Sequence, residues 1–360
     1  MAGRLMVAEV CGLAAGVIAD AAFGDPRRFH PVAGFGQAAS HFEGRIYAPT
    51  RSAGARFAAI AVGAPVAAAI TANMLTRRRP LARAVLTAAT TWAVLGGTSL
   101  RREATAMGAD LAIEPRVEAL AAARRRLPNL VGRDPSALDA PDIARATVES
   151  VAENTSDAQV APLFWGAVAG LPGLVGYRAI NTLDAMVGHL SPRYRDFGTA
   201  SARADDIANL IPARLTALLT AATAPLVGGD GVAALTTWWR DGDRHPSPNS
   251  GQCEAAMAGA LGVGIGGRNV YHGRVEVRPA LGFGPLPRPA DLRRSARISG
   301  AVGIAALIVC ATGKLLVASK LTASRLTAPG RIAASRRGDR VVARRSDRVA
   351  ARYGDRAGRA

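Results

Sequence analysis

ESVAENTSDAQVAPLFWGAVAGLPGLVGYRAINTLDAMVGHLSPRYRDFGTASARADDIANLIPAR, from Glu149 to Arg214, repeats carboxylates, carboxamides and arginines around an uncharged apolar stretch, Val160–Tyr177. A soluble core needs few such groups and a membrane span tolerates fewer. Buried charges cost free energy unless they are paired or used. The block therefore implies chemistry or transport beside a bilayer.

The flanking sequence supplies the bilayer. Apolar runs recur at Leu5–Ala19, Phe57–Leu75, Ala84–Leu100, Val160–Tyr177, Leu215–Val227 and Ile298–Gly313. Crossing about 30 Å of hydrocarbon takes ~20 helical residues, with ~17 as the lower bound. Phe57–Leu75, Ala84–Leu100 and Val160–Tyr177 meet that bound; the others are shorter or need a flanking charge to snorkel. Pro162 and Pro172 would kink or bound the fourth run, which suits a re-entrant or surface-buried segment. About three to five spans are expected. The fold class is mainly α: a polytopic helical membrane protein with polar loops at the membrane surface. The composition agrees, being 49% apolar and only 5% aromatic. Glu9 interrupts the first run and no A-x-A site closes it, so that run stays as a helix. Arginines flank successive runs on both sides, and the positive-inside rule cannot satisfy every loop at once.

The formal charge of +18 is concentrated at one end. Residues 320–360 carry twelve Lys/Arg and three Asp, a net +9, around a repeated Gly/Ser-Asp-Arg unit. That stretch has too little apolar surface for a core and reads as a disordered basic tail. The division expected is an integral-membrane domain over residues 1–318 and a tail over 319–360. The body lacks a basic face interleaved with aromatics, so no nucleic-acid partner is expected. Cys11, Cys253 and Cys310 share no metal or disulfide spacing.

Local signals order the remainder. Asp142, after Pro141, reads as a helix N-cap, with Asn154–Asp157 as the end of that helix. Residues 243–251 read as a Pro- and Ser-rich loop and 254–263 as helix. Gly264, Gly266 and Gly267 suggest a turn, and Val270–Pro279 a short hairpin arm.

Within the block, Glu149 and Glu153 share a helical face, and Asp157 continues it only if the helix survives Asn154. Asn181 and Asp184 are three apart beside Arg178, and Asp205, Asp206 and Asn209 form a DDxxN pattern. Hard oxygen ligands suit Mg²⁺, which takes one or two carboxylates plus phosphate oxygens. Arg193, Arg195 and Arg214 suit phosphate or carboxylate. His30 and His245, each before a proline, and Asn249 lie in loops flanking apolar segments.

Five strings in this order resemble the adenosylcobinamide-phosphate synthase (CobD/CbiB) family of cobalamin biosynthesis. They are GDPRRFHPV from Gly24, ESVAENTSDAQVAPLFW from Glu149, YRAINTLDAMVGH from Tyr177, RYRDFGTASARADDIANLIPARLTAL from Arg193 and HPSPNSGQCEAAMAGALGV from His245. Ala158, Gln252-Cys253 and Leu190-Ser191-Pro192 depart from the usual family pattern without removing an acid. The resemblance implies a multi-pass inner-membrane ligase with its active site facing the cytoplasm. It would use ATP to join (R)-1-amino-2-propanol, or its O-phosphate, to the carboxylate of (adenosyl)cobyric acid. The corrinoid is then a substrate and not a cofactor, and other late corrinoid enzymes are candidate partners.

On that reading Glu153, Asp157, Asp205 and Asp206 hold Mg²⁺–ATP. Arg193, Arg195, Arg214, Asn181 and Asn249 hold phosphates or the substrate carboxylate, and Glu149 and Asp184 assist catalysis. His30 or His245 takes the proton of the attacking ammonium. Two rivals share the acids beside apolar runs: a membrane Mg²⁺-dependent prenyl- or phosphotransferase, and a small-molecule transporter. Neither accounts for the two His-Pro loops.

Overall fold

The computed structural model describes residues 2–26, 30–114, 116–132, 134–136, 138–271 and 274–327. Of the basic tail expected over 319–360, residues 319–327 continue a helix and 328–360 lie outside the described residues. What is described is helical apart from one two-stranded antiparallel hairpin.

Helix α1 (Ala2–Phe23) packs along α4 (Pro80–Val94). A Cβ at Gly12 or Gly16 would collide with Thr87 or Thr91, so the absence of side chains lets the two backbones meet. Inside lipid such close packing replaces the hydrophobic drive of a soluble core. Helix α2 (Pro31–Ile46) starts on an N-cap from His30, and α3 (Arg51–Leu75) on one from Thr50. Each satisfies an otherwise orphaned N–H at the helix start. Against α9 (Leu171–Val187) these two helices bury a small core of Phe57, Leu183 and Phe197.

The run Ala84–Leu100 is not one helix. It breaks at Leu95–Gly96, where Gly96 N–H donates to Ala158 O at 3.2 Å, and α5 (Gly97–Asp110) sets off from there. Pro162 cannot give Ala158 its α-helical donor, so a loop from elsewhere in the chain supplies one. Helix α6 (Arg116–Arg126) then leads to α7 (Ala140–Thr155).

The N-cap of α7 is Asp139, not Asp142: its side chain accepts from Asp142 N–H at 2.9 Å, and Pro141 occupies the first turn, where its missing N–H costs nothing. The α-helix ends at Thr155, within the expected Asn154–Asp157, but the chain does not leave helical geometry there. Ser156–Val160 form a π-helical turn that runs straight into α8 (Ala161–Ala169). Gly170, at φ 65°, turns the chain into α9. Val160–Tyr177 is thus a bent helical pair rather than a single rod, as Pro162 and Pro172 foretold.

At that corner sits an ionic knot. Glu9 of α1 pairs with Arg83 of α4 at 2.8 Å and with Lys314 at 2.9 Å, all three nearly inaccessible. Lys314 also donates to Ala167 O at 2.8 Å, so it satisfies the carbonyl end of α8 as well. Lys314 belongs to α13 (Pro289–Thr327).

Helix α10 (Thr199–Thr223) contains Pro212, and α11 (Gly231–Asp241) and α12 (Ser250–Leu261) follow. Helix α12 is buried along its whole length. Strands β1 (Ile265–Tyr271) and β2 (Arg274–Leu281) form the hairpin, so Gly266 and Gly267 lie in a strand, at an irregularity in the pairing, rather than in a turn.

Among the described residues, four helices are long and apolar enough to cross a membrane: Gly3–Phe23, Arg51–Leu75, Thr199–Val227 and Pro289–Lys320. Three of them enclose runs that look too short in sequence, because each helix continues past its apolar run into small and polar residues. Ala84–Leu100 and Val160–Tyr177 have the length and lack the continuity.

Candidate active site

Three helices and a π-helical turn bring five carboxylates to one cavity of about 420 Å³. Glu153 comes from α7, Asp157 from the π-helical turn, Asp184 from α9, and Asp205 and Asp206 from α10. The turn matters here: by continuing the helix past Asn154, it keeps Asp157 in line with Glu153. π-Helical turns inside α-helices recur at functional sites.

Carboxamides and hydroxyls hold the acids in place. Asn181 donates to Asp157 at 3.1 Å and to Asp205 at 3.3 Å, bridging α9 to both neighbours. Asn209 donates to Asp205 at 3.0 Å. Tyr177 reaches Asp157 at 3.3 Å and Asn209 at 2.9 Å. Ser250, at the start of α12, donates to Glu153 at 2.7 Å. Asn249 donates to Asp206 O at 2.8 Å, tying the His-Pro loop to α10.

Burial, then the charges of Asp205, Asp206 and Glu153, push the Asp184 carboxyl up to about 7. Burial, then Asp205 and Glu153, also hold Asp157 well above the usual carboxylate range. His245 lines the same cavity; burial, then Arg278, lowers its pKa. Its Nδ1 accepts from Ser247 N–H at 3.0 Å, so the neutral ring carries its proton on Nε2. That Nε2 is buried and has no partner among the described residues. His245 is thereby presented as a donor, not as the proton acceptor expected from the sequence. His30 is tied likewise, its Nδ1 accepting from Val32 N–H at 3.2 Å, and it lines a different cavity.

The other expected residues lie elsewhere. Glu149 is buried outside the cavity, accepting from Gly266 N–H at 2.8 Å and lying 3.6 Å from Arg145. Arg145 also donates to the carbonyls of Gly266 and Arg268, so the pair anchors the base of the hairpin. Arg193 pairs with Glu43 at 2.8 Å and stacks over Tyr47. Arg195 is exposed, and Arg214 donates back to Leu210 O in its own helix. None of the three lines the acid cavity; the arginine that does is Arg278, on β2. Arg278 carried no motif, since an arginine in a strand is commonplace; Ser250 lies within the string from His245 but was not singled out, a serine at a helix start being equally commonplace.

Among the described residues no three acids, histidines or cysteines converge closely enough to hold a metal by themselves. A dedicated protein cage does not fit. Mg²⁺ shared with phosphate oxygens does fit, because it needs only one or two carboxylates and keeps several waters. Five acids around one cavity repel one another until such a cation enters.

The CobD/Cbib protein family model matches residues 13–299. The cobalamin biosynthesis protein CobD of Mycobacterium tuberculosis (strain ATCC 25618 / H37Rv) is 50% identical over 299 residues, 83% of this chain and 93% of that protein. The protein of the same name from Geobacter metallireducens is 45% identical over 280 residues, 76% and 86% of the two chains. That of Rhodobacter capsulatus is 57% identical over 176 residues, 49% of this chain and 55% of the relative. No solved structure matches.

Proposed function

The chain belongs to the CobD/CbiB family of cobalamin-biosynthesis proteins, and on that premise we propose that it is an ATP-dependent ligase. It joins (R)-1-amino-2-propanol, or its O-phosphate, to the carboxylate of (adenosyl)cobyric acid through an amide. One observation supports the reading above the rest: Glu153, Asp157, Asp184, Asp205 and Asp206 face a single cavity.

A carboxylate does not accept an amine in water at useful rates; Mg²⁺–ATP supplies the activation when bound. Asp205, Asp206, Glu153 and Asp157 are the residues to hold the cation. The Arg278 guanidinium and the Nε2–H of His245 face the same space and suit its anionic oxygens, taking the task first assigned to Arg193, Arg195 and Arg214. Asp184, with a pKa of about 7, is matched to taking a proton from the ammonium near neutral pH. Asn181 and Asn249 orient the acids and the loop. In this proposal residues 1–318 form the synthase domain, in the cell's inner membrane, with the cavity on the cytoplasmic side where ATP is found.

The test is amide formation in membranes given cobyric acid, ATP and either aminopropanol donor. Net product by mass, lost in Asp205→Ala and Glu153→Ala, is the expected result. Full activity and normal Mg²⁺ dependence in both variants would overturn the metal assignment. Uptake without product would favour a transporter.

A further inference from the structure

Helix α9 is a partition with a different cavity on each side. One stripe, Tyr177, Asn181 and Asp184, faces the acids. The other, Arg178, Thr182 and Met186 at four-residue spacing, lines a second and larger groove of about 860 Å³. Its opposite wall is α2, which presents the small residues Ala33, Gly36 and Ser40. A broad, shallow groove with small residues on one wall, edged by the neutral polar groups of His30, Gln37 and His41, suits a large, flat ligand with one anchoring charge.

Arg178 is that charge. Its Nε is buried without a hydrogen-bond partner, and among the described residues its guanidinium makes no ion pair. Asp157 and Asp25 bear on it electrostatically, yet neither is within salt-bridge distance. Arg178 is half-buried overall, but shutting its Nε off from water without a bonded partner is costly, and the cost is lifted if a ligand brings a carboxylate or phosphate. Arginine is suited to both through its planar fork.

We propose that the α2–α9 groove is the corrinoid subsite and that Arg178 grips the carboxylate to be amidated. The proposal rests on the synthase reading and adds to it a place for the larger substrate. The corrinoid goes to the 860 Å³ groove, and the 420 Å³ acid cavity is left to the nucleotide and its cation. Arg178 then holds the reacting group at the wall the two cavities share, beside Asp157.

The test is equilibrium binding to the purified full chain in detergent, without ATP, read from the absorbance of the corrinoid. Arg178→Met is expected to weaken cobyric acid by roughly 10–100-fold, as loss of a charge-assisted pair would. Cobinamide, which lacks that carboxylate, should bind the variant as it binds the wild type. Arg178→Lys should restore part of the loss. Gly36→Leu, which fills the groove without touching the charge, should weaken both corrinoids. Unchanged cobyric acid binding by Arg178→Met overturns the proposal. Equal loss of cobyric acid and cobinamide in Arg178→Met also overturns it, since the defect would then be general. A wild-type chain that binds no corrinoid overturns the synthase reading itself.

Discussion

The indole Nε1 of Trp165 donates to the carbonyl oxygen of Ala208 at 3.0 Å. Pro212, four residues on, has no N–H for that carbonyl, so the bond compensates a break in α10 just beyond Asp205 and Asp206. Trp165→Phe keeps most of the packing and orphans the carbonyl. The expected cost is about 1 kcal/mol of stability, with a rise in KM for Mg²⁺–ATP as the acidic end of α10 loosens. Thermal unfolding in detergent and steady-state kinetics would check the two effects.

Asp184 makes stability depend on pH. Its folded pKa of about 7 lies above the ordinary 3.8. Between those values the folded chain binds more protons than the unfolded one, so stability falls as pH rises through that window. Below about pH 4 the group costs nothing. Asp184→Asn should therefore be more stable than the wild type at pH 8, by on the order of 1–2 kcal/mol, and equal to it near pH 4. Added Mg²⁺ should narrow the difference. Melting curves across that range, with and without the cation, measure both.

Glu149 and Glu153 lie one helical turn apart and should fail in different ways. Glu149→Ala leaves Arg145 short of a buried partner and unseats the hairpin, costing ~3 kcal/mol or more. Glu153→Gln should change stability by less than about 1 kcal/mol while abolishing Mg²⁺-dependent turnover. Denaturation midpoints set beside amidation rates separate the two outcomes.

The ionic knot at Glu9 predicts an order of severity. Glu9→Ala strands Arg83 and Lys314 together, and a loss of ~3–5 kcal/mol is expected. The pair Glu9→Gln with Lys314→Met should be milder, because Arg83 keeps its bonds to Thr76 and to Asn73 O. Yield of folded protein from membranes would rank them.

Helical class and the acids were legible from composition and spacing, and the order of the motifs from the family resemblance. Glu153, Asp157, Asp184, Asp205 and Asp206 needed only helical periodicity to be singled out. What was hidden depended on distant partners. Arg193 and Glu43 are 150 residues apart, and nothing local in RYRDF betrays that the guanidinium is already occupied. Glu149 was read against Glu153, one turn ahead, whereas its partners are Arg145, one turn behind, and the backbone of Gly266. Helix ends were misplaced where a proline's lost bond was made good from outside the segment. Ala158 O accepting from Gly96 N–H has no counterpart in either sequence read alone.

Among the described residues, Arg145 and Glu149 seat the β-hairpin through main-chain atoms. They address the N–H and C=O of Gly266 and the C=O of Arg268, and of these only Gly266, at φ 93° with Pro279 O where a Cβ would sit, demands a particular residue. Such a socket recognises a backbone shape and is indifferent to most of what the arm displays. Lineages could therefore rewrite or resize the outer arm without disturbing the helices beneath it. Among the described residues, Arg278 would then tie the arm's sequence to the chemistry of the cavity.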